Sequence, residues 1–498
     1  MATSKYRSVQ LLIFILLFGL YANWPLHTYT FDSLTYVLDV QSGQLQKMLH
    51  PHHLLYSPLS FVLWRAGQIF DSSLHPLPVM QLIGAFSLAL AWLILFKLLL
   101  YWKIEFFVGL TASLLAVLTY GPWRFATITE PYALHILLVL LMFLLASQKR
   151  NNALVVTAVL ATLNMQTAFL FLPSALILAF WESNERLRDV AKSLIAYAVT
   201  CLTMYLFFGY IAMGSLSALP AWFGKYAVDQ RWWDPSLVKF ITALFAASDG
   251  VFGLATPPSL WRTLSWISMS SLIVVAAYFL REWLKEQTQL TYAAALALFL
   301  QFAFYYQFDA GSPCYWTIVP ALSALLLSGP LSIAASRRKG LTYALMAFTL
   351  LIGVLTVFTH EIIPQSKSSA YVPYQLAKSV KPIVGKGTLW MLGGNVNERV
   401  FRVFTTLSIR SLHDILLRGK GTNVQNLSLL KTKIEADIEK GPVFVFGDLF
   451  KGSFSGIVGL DNALIPPKDI AQAFAGFNLK PVSIEGRVYI WQLVKRSD

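Results

Sequence analysis

Apolar runs close to helix-spanning length recur through the first 360 residues, and the turns that separate them are alternately rich and poor in basic residues. This alternation constrains the fold more than any motif does. About twenty apolar residues in a helix reach about 30 Å, the thickness of a bilayer's hydrocarbon layer. Lys and Arg collect at cytoplasmic helix ends, so basic turns mark the inner side. The basic turns are 97–103, 149–150, 186–192, 281–285 and 337–339. Segments 24–77, 121–131, a short turn near Gln166, 214–262 and 309–315 fall between them and are expected outside. The first run, 9–20, follows Lys5 and Arg7 like the core of a signal peptide, but no small-residue cleavage site comes after it. It is read as a retained first helix with the N-terminus in the cytoplasm. The apolar stretch 153–181 is too long for one span and is read as two short helices broken at Asn164-Met-Gln166-Thr. Together these segments predict a polytopic α-helical protein of the inner (plasma) membrane with about eleven spans.

Composition agrees. The 498-residue chain is 56% hydrophobic and only 13% charged, with a mean hydropathy of +0.59, which excludes an ordinary soluble enzyme. The formal charge of +14 is accounted for by cytoplasmic turns and needs no nucleic-acid partner. Two cysteines, Cys201 and Cys314, are too few for a disulfide framework.

After the last apolar run, 343–359, the pattern changes. Segments 388–392, 442–446 and 488–494 are short β-branched and aromatic runs that read as strands, and 428–439 has helical spacing. The domain division is therefore 1–360 in the membrane and 361–498 as a small extracytoplasmic α/β domain. Gly393-Gly394-Asn395 after the first strand reads as a phosphate-binding turn or, more simply, a plain turn.

Ionisable residues near a membrane are costly, so they mark function. The first outward segment is the richest. Its stretch 33–47 is amphipathic and is expected to lie along the interface with Asp32 at its N-terminus. Asp32 is either a helix N-cap or a carboxylate whose partial desolvation suits it to general-base work, and the two roles are compatible. His50, His52 and His53 suggest a metal, but Pro51 interrupts the helical spacing of a two-histidine site, so contacts to phosphate or sugar hydroxyls are favoured. The second outward segment carries Arg124 and Glu130. Glu130 either serves the helix that follows Pro131 or faces Asp32 across one outward cavity, orienting an acceptor or holding a divalent cation. Outward basic residues Arg65, Lys225, Arg231, Lys239 and Arg262 are candidates for a phosphate clamp, with Arg231 and Arg262 preferred. Trp232 and Trp233 beside Arg231 fit an interfacial belt or a sugar-stacking platform.

The order Asp32-Ser, His50-Pro with Leu-Tyr56 beyond it, Ala126-Thr-Ile-Thr-Glu130-Pro-Tyr132-Ala-Leu and Asn164-Met-Gln166-Thr resembles the type C (GT-C) glycosyltransferases. Within them it is most similar to bacterial relatives of protein O-mannosyltransferases. The resemblance covers roughly residues 1–360 in layout, with its motifs in the first 180. It implies an integral-membrane hexosyl- or mannosyltransferase that takes a sugar from a polyprenyl-phosphate donor and gives it to a glycan, lipid or protein acceptor on the extracytoplasmic side. It further implies Asp32 as catalytic base, Glu130 as the second acid, and Tyr56 and Gln166 among the residues that line the substrate cavity. The family often pairs the first acid with a neighbouring one, whereas Leu34 and Thr35 follow Ser33 here, so a divalent metal is left open rather than assigned. A transporter or lipid-linked glycan flippase, or an envelope glycan ligase, would share the many helices. The chain shows no internal repeat, and its polar residues gather in outward segments rather than at helix centres. Reporter fusions test the topology directly: a periplasm-specific reporter is expected to be inactive when joined at Lys149 and active at Asp309, and the reverse result overturns the orientation.

Overall fold

The computed structural model describes residues 7–224, 236–253, 259–286, 288–418, 423–451, 474–484 and 487–495. Two compact units emerge, one formed by Met1–Leu26 with Asp39–Ser366, the other by His27–Leu38 with Lys367–Asp498. The boundary thus falls a few residues beyond 360, and a short piece of the first outward segment belongs with the C-terminal unit.

The membrane unit is a helical bundle. Five of its described helices are long and apolar enough to cross a bilayer: Pro76–Tyr101, Arg186–Met213, Leu260–Lys285, Pro313–Arg337 and Lys339–Ser366. A sixth is the bent pair Phe106–Leu118 and Tyr120–Thr127, which meet at 56°. Pro122 causes that bend, since it has no N–H for the Leu118 carbonyl and its ring collides there. Four shorter apolar helices, Arg7–Asn23, Tyr132–Ser147, Asn151–Asn164 and Gln166–Phe180, accompany them. The break at Met165, which has extended backbone, divides the 153–181 stretch into the expected helical pair. Tyr132–Ser147 is apolar on every face and buried along nearly its whole length, as a central helix must be. Arg186–Met213 instead buries few residues and sits at the periphery. Pro76–Tyr101 packs against Tyr132–Ser147, Arg7–Asn23 and the bent pair. Gly84 permits this close approach, because a methyl there would overlap the Ala126 carbonyl.

The C-terminal unit contains a five-stranded sheet. Its strands are β1 (Thr388–Met391), β2 (Ser408–Ser411), β3 (Val443–Phe446), β4 (Phe477–Ile484) and β5 (Arg487–Lys495), in the order β2-β1-β3-β5-β4. β1 runs parallel to β2 and β3, and β5 antiparallel to β3 and β4. All four residues of β3 are buried, as the continuous apolar run of a central strand requires. Its core joins Trp390, Val443, Val445 and Leu493 to Leu430 and Ile434 of the helix Asn423–Ile438. The expected small α/β domain is therefore present. Gly393-Gly394-Asn395 is a helix-capping turn. The Asn395 side chain accepts from the Glu398 amide at 3.0 Å, and Glu398 accepts in return from the Gly394 amide at 2.7 Å. That amide is spent on the cap, which removes the phosphate-turn reading. Asp448 accepts from the Leu392 amide and from Asn395, and burial pushes its carboxyl up to about 6.

Gly84 gives the fold a sharp test. Gly84→Ala inserts a methyl against main chain that cannot swing aside, so a loss of about 1–3 kcal/mol is expected, read as a lower unfolding temperature of the purified protein.

Candidate functional site

Asp32 lies in the first turn of the helix Phe31–Ser42. The N-cap belongs to Thr30 instead. Its hydroxyl accepts from the Ser33 amide at 3.0 Å while the Ser33 hydroxyl accepts from the Thr30 amide at 2.9 Å. Capping therefore does not require the Asp32 carboxylate. The helix stops at Gly43, whose φ of +66° ends it in the left-handed region, and a short turn of helix, Leu45–Met48, follows. The amphipathic stretch 33–47 is thus two pieces rather than one.

Within the C-terminal unit, Asp32 faces Arg399. The Arg399 guanidinium stacks over the Phe31 ring at 4.8 Å, and the Tyr29 ring packs on Tyr371 and Phe404. The Tyr371 hydroxyl donates to the Tyr29 carbonyl at 3.3 Å. The Asp32 side chain is exposed to solvent, yet enough protein lies near it to desolvate the carboxylate in part. Desolvation raises its carboxyl above the ordinary value, and the Arg399 charge pulls it part of the way back. Arg399, on the helix Val396–Phe404, carries no signal in the sequence that would connect it with Asp32.

In the membrane unit the histidine segment forms a tight turn. The His53 amide donates to the His50 carbonyl at 3.0 Å, and the His50 and His53 rings stack with centroids 5.9 Å apart. His52 Nδ1 meets Gln166 Oε1 at 2.7 Å, and His53 Nδ1 donates to the Asn164 carbonyl at 3.0 Å. The Leu55 amide adds a bond to the Leu163 carbonyl. These contacts satisfy carbonyls freed where the helix Asn151–Asn164 ends, so the histidines and Gln166 fasten the turn to the break at Met165. Desolvation lowers the pKa of His52 and takes His53 down to about 4. Near neutral pH both are uncharged imidazoles that offer hydrogen bonds rather than charge. Among the described residues, no group of three or more His, Cys, Asp or Glu is placed to hold a metal ion.

Glu130 is buried beside Tyr56, whose hydroxyl it makes harder to ionise on top of the larger effect of burial. Asn164 spans to the same segment, its amide donating to the Pro131 carbonyl at 3.1 Å. Tyr56, Glu130, Gln166 and the three histidines therefore belong to one continuous set of contacts.

Arg262 is engaged elsewhere. It donates to Glu361 at 2.7 Å in a pair whose side chains are 6% and 1% exposed. The other Glu361 oxygen accepts from Gln365 at 3.1 Å, Gln365 donates to the Tyr120 hydroxyl at 3.1 Å, and Arg124 donates to that hydroxyl at 3.3 Å. Glu361 sits in a π-helical turn, Phe358–Ile362, that swells the end of the last span. The sequence reading placed Glu361 in the C-terminal domain, but it is part of the membrane unit. Its position two residues past an apolar run is the available signal. Lys225, Arg231, Trp232 and Trp233 lie outside the described residues.

Neither family models nor curated proteins match the chain. Solved structures do. ArnT from Cupriavidus metallidurans in the apo state aligns over 99% of this chain and 98% of its own, with a TM-score of 0.59 at 10% identity. The same protein bound to undecaprenyl phosphate aligns over 98% of both chains, with a TM-score of 0.55 at 11% identity. The chain therefore shares the fold of that protein. At this identity the likeness carries the fold, and it lends nothing to the narrower similarity to O-mannosyltransferases.

The opposing influences on Asp32 give a signed test. Arg399→Met removes the charge that favours the carboxylate and leaves the desolvation that disfavours it. Any activity that needs ionised Asp32 is then expected to show an acid limb displaced to higher pH, measured as initial rate against pH; an unmoved limb separates Asp32 from the activity.

Proposed function

We propose that this chain is a multi-pass glycosyltransferase of the plasma membrane. In this reading it moves a hexose, with mannose one candidate, from a polyprenyl-phosphate donor to a glycan, lipid or protein acceptor on the extracytoplasmic side. The observation that carries the proposal is the likeness along the whole length to a protein solved with undecaprenyl phosphate bound. The six candidate spans, the four shorter apolar helices and Thr288–Phe308 make up the eleven crossings of this reading. The N-terminus is then cytoplasmic, and the C-terminal unit, His27–Leu38 with Lys367–Asp498, is extracytoplasmic.

Asp32 is the proposed general base. Transfer from a lipid phosphate needs a group to take the proton of the acceptor hydroxyl as the glycosidic bond forms, and a carboxylate with a raised pKa is a better acceptor than an ordinary one. Two features support it: Thr30 performs the capping that would otherwise explain an acid here, and the side chain is reachable while partly desolvated. Glu130 is the proposed second acid, orienting the acceptor or holding a divalent cation. Tyr56, Gln166, His50, His52 and His53 supply neutral hydrogen-bonding groups suited to sugar hydroxyls. The negative charge of the phosphate then calls for cations, a role proposed for Arg231 and for Arg262, the latter held by Glu361.

Asp32→Asn keeps the size of the side chain and removes its basicity. At unchanged abundance in membranes, it is expected to lower transfer from a polyprenyl-phosphate sugar by at least about 100-fold, followed as labelled sugar appearing in the envelope fraction. Full activity in this variant would sink the mechanism.

A further inference from the structure

The helix Tyr56–Gln68 is amphipathic inside out. Its buried side carries Tyr56, Ser57, Ser60 and Trp64, so three hydroxyl-bearing side chains are buried, and the Ser60 hydroxyl donates to the Tyr56 carbonyl at 2.8 Å. Its open side carries Val62, 62% exposed, with Leu63 and Ala66 beside it. The stripe ends on Ile69 and Phe70, 80% and 92% exposed. In a water-soluble protein an arrangement of this kind is unfavourable, because apolar area is left in water while polar groups are buried.

The tip that presents Ile69 and Phe70 is held in shape. The Phe70 and Asp71 amides both donate to the Gly67 carbonyl, and the Leu74 amide donates to the Asp71 carbonyl. Asp71 turns its carboxylate onto the Ser73 amide and hydroxyl at 2.9 and 2.6 Å, so its charge is engaged in the turn itself. The Trp64 indole donates to the Leu74 carbonyl at 2.8 Å, tying the helix to the residues that lead into Pro76–Tyr101. A backbone this well bonded does not expose a phenylalanine for want of local structure.

What covers the stripe follows from its continuity with the spanning helices. Phe70 precedes the start of Pro76–Tyr101 by six residues, which fixes it within about 20 Å of that span's first turn. The span shows an exposed apolar face at Leu82 and Phe86. Phe86 packs edge-on against Phe14 of Arg7–Asn23, whose Leu11, Leu12, Ile15 and Leu16 are exposed as well. The stripe thus leads directly into a span whose own open face is apolar. Arg65 flanks it, bonded to Gln68 at 2.8 Å with its guanidinium over the Trp64 ring, in the manner of a basic residue reaching toward headgroups.

We infer that Val62, Leu63, Ile69 and Phe70 form a wedge seated in the acyl region of the adjacent leaflet, with Arg65 at the level of the phosphates. The helix Tyr56–Gln68 then lies in the membrane interface. Because Tyr56 opens this helix and His52 and His53 immediately precede it, the wedge sets those residues at headgroup depth. The inference rests on the membrane architecture and not on the transferase chemistry, so it stands or falls independently of Asp32.

Photo-crosslinking tests it in the full-length chain in its native membrane. With p-benzoylphenylalanine in place of Phe70, irradiation is expected to yield adducts whose intact mass exceeds the protein by that of a phospholipid. A cross-linked dimer, or no lipid adduct, overturns the wedge. A second measurement covers poor recovery of that variant: a nitroxide on Phe70→Cys, in a Cys201→Ala, Cys314→Ala background reconstituted in phospholipid nanodiscs. Greater accessibility to oxygen than to a water-soluble nickel chelate is expected, and the opposite ranking overturns the wedge.

Discussion

In hydrocarbon every backbone N–H and C=O must find its partner within the protein, and the membrane unit is organised by that requirement. Its apolar segments are helices because a helix closes its own hydrogen bonds. Departures from regular helix gather where the chain has other partners: at Thr119 before the Gly121-Pro122 bend, at Met165 between two short helices, and at the π-helical turn Phe358–Ile362. The polar side chains collect at the same places. The carbonyls freed at Met165 are taken up by His53 and Leu55, and the π-helical turn carries Glu361, with Gln365 one turn on. Irregular backbone and candidate chemistry coincide because both require escape from lipid.

Charge burial follows the same logic at higher cost. Arg262 and Glu361 are almost wholly enclosed, and each would be strongly destabilising without the other. Their partnership, extended through Gln365 and Tyr120 toward Arg124, draws the start of one span, the end of another and the bent pair together at one end of the bundle. The histidine turn solves its burial differently, by remaining neutral. The unit therefore holds one network built on the Arg262–Glu361 ion pair and another in which neutral His52 and His53 bond Gln166 and Asn164.

Much of this was legible residue by residue. Hydrophobic period and length revealed the helical pair on either side of Met165, and the runs 388–392, 442–446 and 488–494 became β1, β3 and β5, since a bilayer or a sheet interior selects residues one segment at a time. The helical layout read from the sequence was matched by a fold shared with ArnT along the whole chain. Other roles were not legible, because they depend on partners distant in sequence. Whether Asp32 caps its helix depended on Thr30 and Ser33 bonding each other first. Gly393-Gly394 read as a turn of either kind until Glu398 claimed the Gly394 amide.

By itself the sequence determined the apolar spans, the break points made by proline and polar residues, and the change to an α/β pattern near 360, all set by local hydrophobicity and backbone chemistry. Only the tertiary structure decided that His27–Leu38 joins the C-terminal unit, where Tyr29 meets Tyr371 across 342 residues of chain. It alone decided that Arg399 is the cation beside Asp32 and that Glu361 belongs with Arg262. Helix periodicity records which side of a segment is apolar, and nothing in it records which distant segment will supply the opposite charge. The same division applies to Phe70: its sequence neighbourhood reads as an ordinary loop, and only the packing of Trp64, Gly67 and Leu74 behind it shows that its exposure is built in.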